Sequence, residues 1–196
     1  MALAQPTPKK NTRSIVTTVH QGDCHVSNKT DVTFSTVLGS CIGACVRDVE
    51  ANVGGMNHFL LAEQSGSAKD RFGSSARYGA YAMEELINMV LKEGTGIKQN
   101  LEFKIFGGGK INSSLADVGA SNVAFVYKFL KDEGYKITSE DMGGTFARRV
   151  MFDPTTGRAR VKRLDSATGQ NIVNKEMAFA GKQKVVKPAD DDIELF

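Results

Sequence analysis

Apolar residues in this chain recur at two different periods, and the order of those periods limits the fold more than any other feature. Residues 13–20 (RSIVTTVH) and 31–38 (DVTFSTVL) alternate with the two-residue period of a half-buried strand, and 42–48 (IGACVRD) and 53–61 (VGGMNHFLL) read as short apolar strands. The period then lengthens. Tyr78, Tyr81, Ala82, Leu86, Met89 and Val90 fall at helical spacing until Gly94 ends the pattern. After a strand-like LEFKIFGGG, a second helical face carries Val123, Val126, Tyr127 and Leu130 up to Gly134. Residues 135–164 return to strands, broken at Gly143-Gly144 and by a turn at Asp153 to Gly157. Strands early, two helices in the middle and strands late predict an α+β fold. Its core is a mixed or largely antiparallel, sandwich-like β-sheet with helices packed on the outside, in a single domain. A doubly wound nucleotide-binding fold needs regular strand–helix alternation and does not fit.

The expected boundaries are a polar N-terminal tail over 1–12, the folded domain over 13–166 and a polar extension over 167–196. The acidic end, ADDDIELF, reads either as a solvated segment or as a docking one. With 196 residues, 41% of them hydrophobic, the chain can bury a real core. Its formal charge of +3 is small, and pairs such as Lys9-Lys10 and Arg148-Arg149 form no basic stripe in the sequence, so nucleic acid is set aside as a partner. No apolar run reaches the ~20 residues that cross a bilayer. The opening MALAQPTPKKNTR has no apolar secretory core, and the three cysteines are odd in number, so free thiols in a reducing cytoplasm are expected.

Candidate chemistry is concentrated between Ser35 and Phe59, in STVLGSCIGACVRDVEANVGGMNHF. A thiol attacks as its thiolate, and a free cysteine with a pKa near ~8.5 is mostly protonated at neutral pH, so a nucleophilic cysteine needs a base within hydrogen-bond reach. Three histidines are available, His20, His25 and His58. His20 has no nucleophile beside it. His25 directly follows Cys24, but neighbours on an extended chain point to opposite faces, so this pair reads as part of a polar loop. His58 follows Cys41 by 17 residues, about the length of one strand out, a turn at DVEAN and one strand back. Such a hairpin would set Cys41 and His58 opposite each other. Gly39 permits a sharp turn that aims the N–H groups of Ser40 and Cys41 at one point, as an oxyanion requires, and Gly54-Gly55 would let a substrate backbone approach.

Other readings of the same residues stand beside this one. A cysteine in an apolar strand is commonly a packed core residue. Cys41, Cys45 and His58 could ligate zinc, although three ligands at irregular spacing match no zinc pattern. Cys24 and Cys45 read as structural. Phe106 to Lys110 (FGGGK) lacks the full pattern of a phosphate loop and reads as a tight turn. The residues alone leave Cys41 open as either nucleophile or core.

STVLGSCIGACVRD and VGGMNHFLL resemble the active-site signature of the chemoreceptor glutamine deamidases, the CheD family of bacterial and archaeal chemotaxis. The resemblance extends, in family order, to RYGAYAMEELINMVLKEG, KIFGGGK, ADVGASNVAFVYKFLKDEG, EDMGGTFARRVMFDPTTGRARVKRL and the closing DIELF. It departs at Ala62, where Pro is common, and at Ser121, where an Arg often precedes Asn122. It implies a protein-glutamine amidohydrolase in which Cys41 is the nucleophile and His58 its base. Backbone N–H groups around Gly39 and Ser40 would hold the oxyanion. The third member is a hydroxyl six positions before the cysteine; that position holds Ser35, with Thr36 beside it, and which oxygen orients His58 stays open. It further implies no metal and no cofactor, the cytoplasmic helical domain of a chemoreceptor as substrate, and a CheC-type phosphatase as a partner. Two alternatives remain: a non-catalytic module that binds receptor and phosphatase, and a cysteine peptidase or transglutaminase sharing the acyl-enzyme step.

Overall fold

A computed structural model describes residues 15–61, 68–111 and 118–165; the expected tails over 1–12 and 167–196 lie outside the described residues. The first sheet takes in β1 (Ile15–Thr18), β3 (Val32–Leu38), β8 (Arg148–Asp153) and β9 (Arg158–Arg163), in that spatial order. The second runs β2 (Cys24–Ser27), β5 (Val53–Asn57), β4 (Ile42–Asp48), β6 (Leu101–Gly107) and β7 (Lys136–Met142). Helices α1 (Ala68–Glu93) and α2 (Val118–Asp132) complete the described elements apart from one 3-10 turn at Lys98–Asn100. Both sheets are mixed: β1 pairs parallel with β3 and β6 parallel with β7, while the other pairings are antiparallel.

The layers follow from the patterning. Strand β4 is buried along almost its whole length, because it is covered on both faces. Ile42, Ala44 and Val46 face the helices, where they meet Met83, Leu86, Ile87 and Val90 of α1 and Val126 and Leu130 of α2. Cys41 and Cys45 face the other way, into a layer shared with Phe34 and Leu38 of β3 and Val150 and Phe152 of β8. The architecture is therefore sheet on sheet on helices, α+β as the periods predict. Burying each large apolar side chain in these layers is worth about 1.5–3 kcal/mol, which is why the middle sheet, packed twice, anchors the molecule.

Local signals explain the ends of elements. Gly134 takes φ +71°, Tyr135 N donates to Leu130 O and Gly134 N to Lys131 O, so α2 closes with a left-handed glycine cap. The β4–β5 turn is held by Asp48, whose carboxylate accepts from the backbone of Glu50 and Ala51 and from both the N–H and the hydroxyl of Thr95. Burial disfavours the charged form of Asp48, yet these hydrogen bonds outweigh it and hold the carboxyl below its ordinary pKa.

Three expectations are corrected. The segment around Cys24 is not a loop but strand β2, paired antiparallel with β5. Tyr81 is 62% exposed, so it does not belong to the buried face of α1; Met83 and Ile87 take that place. Gly54 and Gly55 are buried and accommodate this chain itself rather than a substrate: a Cβ on Gly54 would lie 2.4 Å from Pro154 O, and one on Gly55 would lie 2.7 Å from Leu86 Cδ1.

Candidate active site

Residues 39–41 form the bend between β3 and β4, and that bend is fastened from behind by three carbonyl contacts. Gly39 O accepts from Gly109 N, Ser40 O from Asn122 Nδ2 and Cys41 O from Gly108 N, each at 2.8 Å. The donors come from the glycine run after β6 and from α2. The run must be glycine: Gly107 has φ +112°, and a Cβ there would sit 2.0 Å from Cys41 O. Gly108, at φ +65°, would drive a Cβ to 2.2 Å from Val123. FGGGK is thus the seat of the Cys41 turn and not merely a tight turn.

Asn122 is a residue the sequence reading passed over. It is fully buried, its Nδ2 holds Ser40 O, and its Oδ1 accepts from Leu61 N at 2.9 Å. One side chain on α2 therefore ties together the turn before β4 and the segment after His58. Its sequence signal is a polar residue at a buried helical position, one step from Val123.

Strands β4 and β5 bring Cys41 and His58 together, with an offset. Cys45 pairs with Met56 and Ile42 with Phe59, so in this register Cys41 stands opposite Leu60 and His58 opposite Gly43. The two are diagonal neighbours rather than the directly opposed pair expected, a separation that side chains as long as histidine still span. Cys41 is completely buried, and His58 is 6% exposed.

The imidazole reaches across to the first sheet. Thr36 Oγ1 lies 2.9 Å from His58 Nδ1 and 2.7 Å from Val19 O. Threonine has one hydroxyl proton; given to the Val19 carbonyl, it leaves the oxygen to accept from Nδ1–H. Val19 O, 3.5 Å from Nδ1, can only accept as well. Both partners put the proton on Nδ1, so Nε2 carries the lone pair of a base. Ser35, the position to which the family pattern points, alternates to the opposite face of β3, because Phe34, Thr36 and Leu38 share the inner face. The structure brings Thr36, and not Ser35, to the histidine.

The other candidates separate as sequence spacing suggests. Cys24 faces α1, with its thiol 3.7 Å from Met89 Sδ, while His25 stacks on Phe34 with ring centroids 6.1 Å apart. Burial, with Glu85 nearby, pushes the Cys24 thiol up to about 12, and burial raises Cys45 further, so both stay protonated thiols at neutral pH. Among the described residues no group of three or more His, Cys, Asp or Glu side chains is placed to hold a metal.

The fold class is thus a three-layer α+β protein with Cys41 on a glycine-seated turn and His58 hydrogen-bonded to Thr36 in the layer between the sheets. Its relatives narrow that class. The family model described as CheD chemotactic sensory transduction matches residues 60–163, so the Cys41–His58 segment lies just before the matched span. The chain is 53% identical over 148 residues to the probable chemoreceptor glutamine deamidase CheD of Caulobacter vibrioides, covering 76% of this chain and 78% of that one. It is 45% identical over 191 residues to probable chemoreceptor glutamine deamidase CheD 1 of a Ruegeria species, covering 95% and 97%. It is 42% identical over 176 residues to the Hahella chejuensis protein of the same description, covering 89% and 82%. The chain belongs to the CheD family.

Proposed function

We propose that this chain is a chemoreceptor glutamine deamidase: a protein-glutamine glutaminase that converts glutamine side chains of receptor helices to glutamate. The observation that carries the chemistry is the Thr36–His58 hydrogen bond, which leaves Nε2 as the basic nitrogen in the same inter-sheet layer as Cys41. In this reading His58 takes the Cys41 proton, and the thiolate attacks the amide carbon of the substrate. Peptide N–H groups around Gly39, Ser40 and Cys41 hold the resulting oxyanion. The C–N bond breaks as His58 returns the proton, releasing ammonia and leaving a thioester. Water, deprotonated by His58, attacks that thioester, giving the glutamate carboxylate and restoring the thiol. The imidazole relays each proton within the site, the proton lost when the new carboxyl group ionises is taken up by the ammonia as ammonium, and the net step consumes only water.

Residues 13–166 form the working domain in this proposal, with 1–12 and 167–196 as appendages. The protein acts in the cytoplasm, where the receptor's helical signalling domain lies, and a CheC-type phosphatase is a further partner; no helix among the described residues is long and apolar enough to cross a membrane. Each conversion adds one negative charge to a packed helical bundle, and like charges at neighbouring helical positions shift the balance between its packed states.

The complete burial of Cys41 favours a second reading, a module that binds receptor and phosphatase without turnover. One experiment separates the two: a receptor cytoplasmic fragment is incubated with the protein or with its Cys41→Ala form, and peptide masses are read for the glutamine-to-glutamate change. Conversion by the first alone establishes the deamidase. Binding without conversion by either selects the module.

A further inference from the structure

The outer face of the first sheet carries a feature that this chemistry does not use. The β8–β9 register sets Arg149 opposite Lys162, Met151 opposite Arg160 and Asp153 opposite Arg158. Val150 and Phe152 point inward, so alternation places these six residues on the outward face. Arg149, Arg158, Arg160 and Lys162 are all exposed. The one carboxylate of the six, Asp153, is engaged by Arg160 at 3.0 Å and by the Thr33 hydroxyl at 2.7 Å. The adjacent Arg148 is different: it is buried, and it bonds Asp141 and Gly143 O. Arg149 pairs with Val37 on β3, two residues before Gly39, so the cationic row begins at the end of the sheet that leads into the Cys41 turn.

We propose that this face docks the acidic side of a receptor helix and so delivers a glutamine to the Cys41 turn; the proposal rests on the deamidase reading above. Arg158, Arg160 and Lys162 alternate along β9, so they stand about 6.7 Å apart. Carboxylates at i, i+4 and i+8 of a helix stand about 6 Å apart. A straight row of three cations therefore meets a straight helical row of carboxylates without bending either, and Arg149, about 4.8 Å to the side, widens the row beside the turn. The reaction supplies the complementary charge, because every converted glutamine becomes a glutamate on the substrate helix. A converted site then helps to seat the helix for the next conversion. Nucleic acid fits this face less well, since the chain's formal charge is only +3 and none of the six residues is an aromatic on which a base could stack.

The test uses the full chain carrying Arg149→Glu, Arg158→Glu and Lys162→Glu together, with circular dichroism and thermal melting confirming the fold. Binding of a receptor cytoplasmic fragment is titrated in the Cys41→Ala background, with and without the three changes, at several salt concentrations. Deamidation of the same fragment is followed in the otherwise unaltered protein. Kd and KM are expected to rise about tenfold or more at low salt with kcat retained, and the salt dependence of binding is expected to flatten. Unchanged Kd and unchanged salt dependence overturn the proposal. A loss confined to anionic phospholipid vesicles or to duplex nucleic acid, with receptor binding intact, overturns it equally. Charge-dependent receptor binding without conversion of any glutamine by the unaltered protein leaves the docking surface standing and removes the deamidase reading instead.

Discussion

Two adjacent hydroxyls, Ser35 and Thr36, illustrate what one residue of strand phase decides. Both are buried, yet only Thr36 lies on the inner face with its oxygen at the imidazole. Sequence spacing from the cysteine selects Ser35 and cannot see the phase, because two hydroxyl residues in succession satisfy either assignment. Thr36→Val keeps the shape but removes the group that fixes the Nδ1–H tautomer; kcat is expected to fall on the order of 10²-fold, with little change in KM. Ser35→Ala is expected to stay within about twofold of the parent kcat in the same assay, since its side chain lies on the opposite face of β3 from the imidazole. Equal losses for both would place the orienting oxygen elsewhere.

At the scale of elements, the helical and two-residue periods were legible wherever one face met a core. Strand β4 matches the expected 42–48, and α2 covers 118–132 of a pattern read to Gly134. Strand β2 was not legible, because four residues of intermediate burial show no alternation. The parallel pairing of β1 with β3 and of β6 with β7 was hidden too, since a strand's own pattern records which faces are buried and not which neighbour it bonds. The glycine run after β6 is the sharpest case: its purpose emerges only where it meets the turn of a different strand. Gly107→Ala places a Cβ against Cys41 O in a left-handed backbone region. It is expected to cost about 1–3 kcal/mol in thermal or chemical unfolding. It should lower deamidation well beyond the loss of folded protein, which comparing turnover with the folded fraction would check.

For the molecule as a whole, the sequence reading of one α+β domain holds across the described residues, but two of its properties are products of assembly. The basic face arises because alternate residues on β8 and β9 are brought into register; in sequence they are separated by inward-facing apolar residues and a turn. The closure over Cys41 arises because it lies between two sheets, a position that no count of apolar neighbours along one strand reveals. A thiol with no exposed surface should react slowly with iodoacetamide in the free protein. Alkylation of Cys41 in the free protein, followed by mass spectrometry, is expected to run at least about tenfold more slowly than in the unfolded chain. A rate in the free protein equal to that of a small thiol would contradict this.

The three-way tie made by Asn122 also bears on when the protein becomes active during its own synthesis. Ser40 and Leu61 are made early, but the side chain that fastens both lies at position 122 and reaches them only once α2 has docked. Contacts so far apart in the chain form late, after the loops between them have closed. A ribosome-bound fragment ending before α2 keeps the Gly108 and Gly109 donors behind the Cys41 turn but lacks the one side chain that joins this turn to the segment after His58.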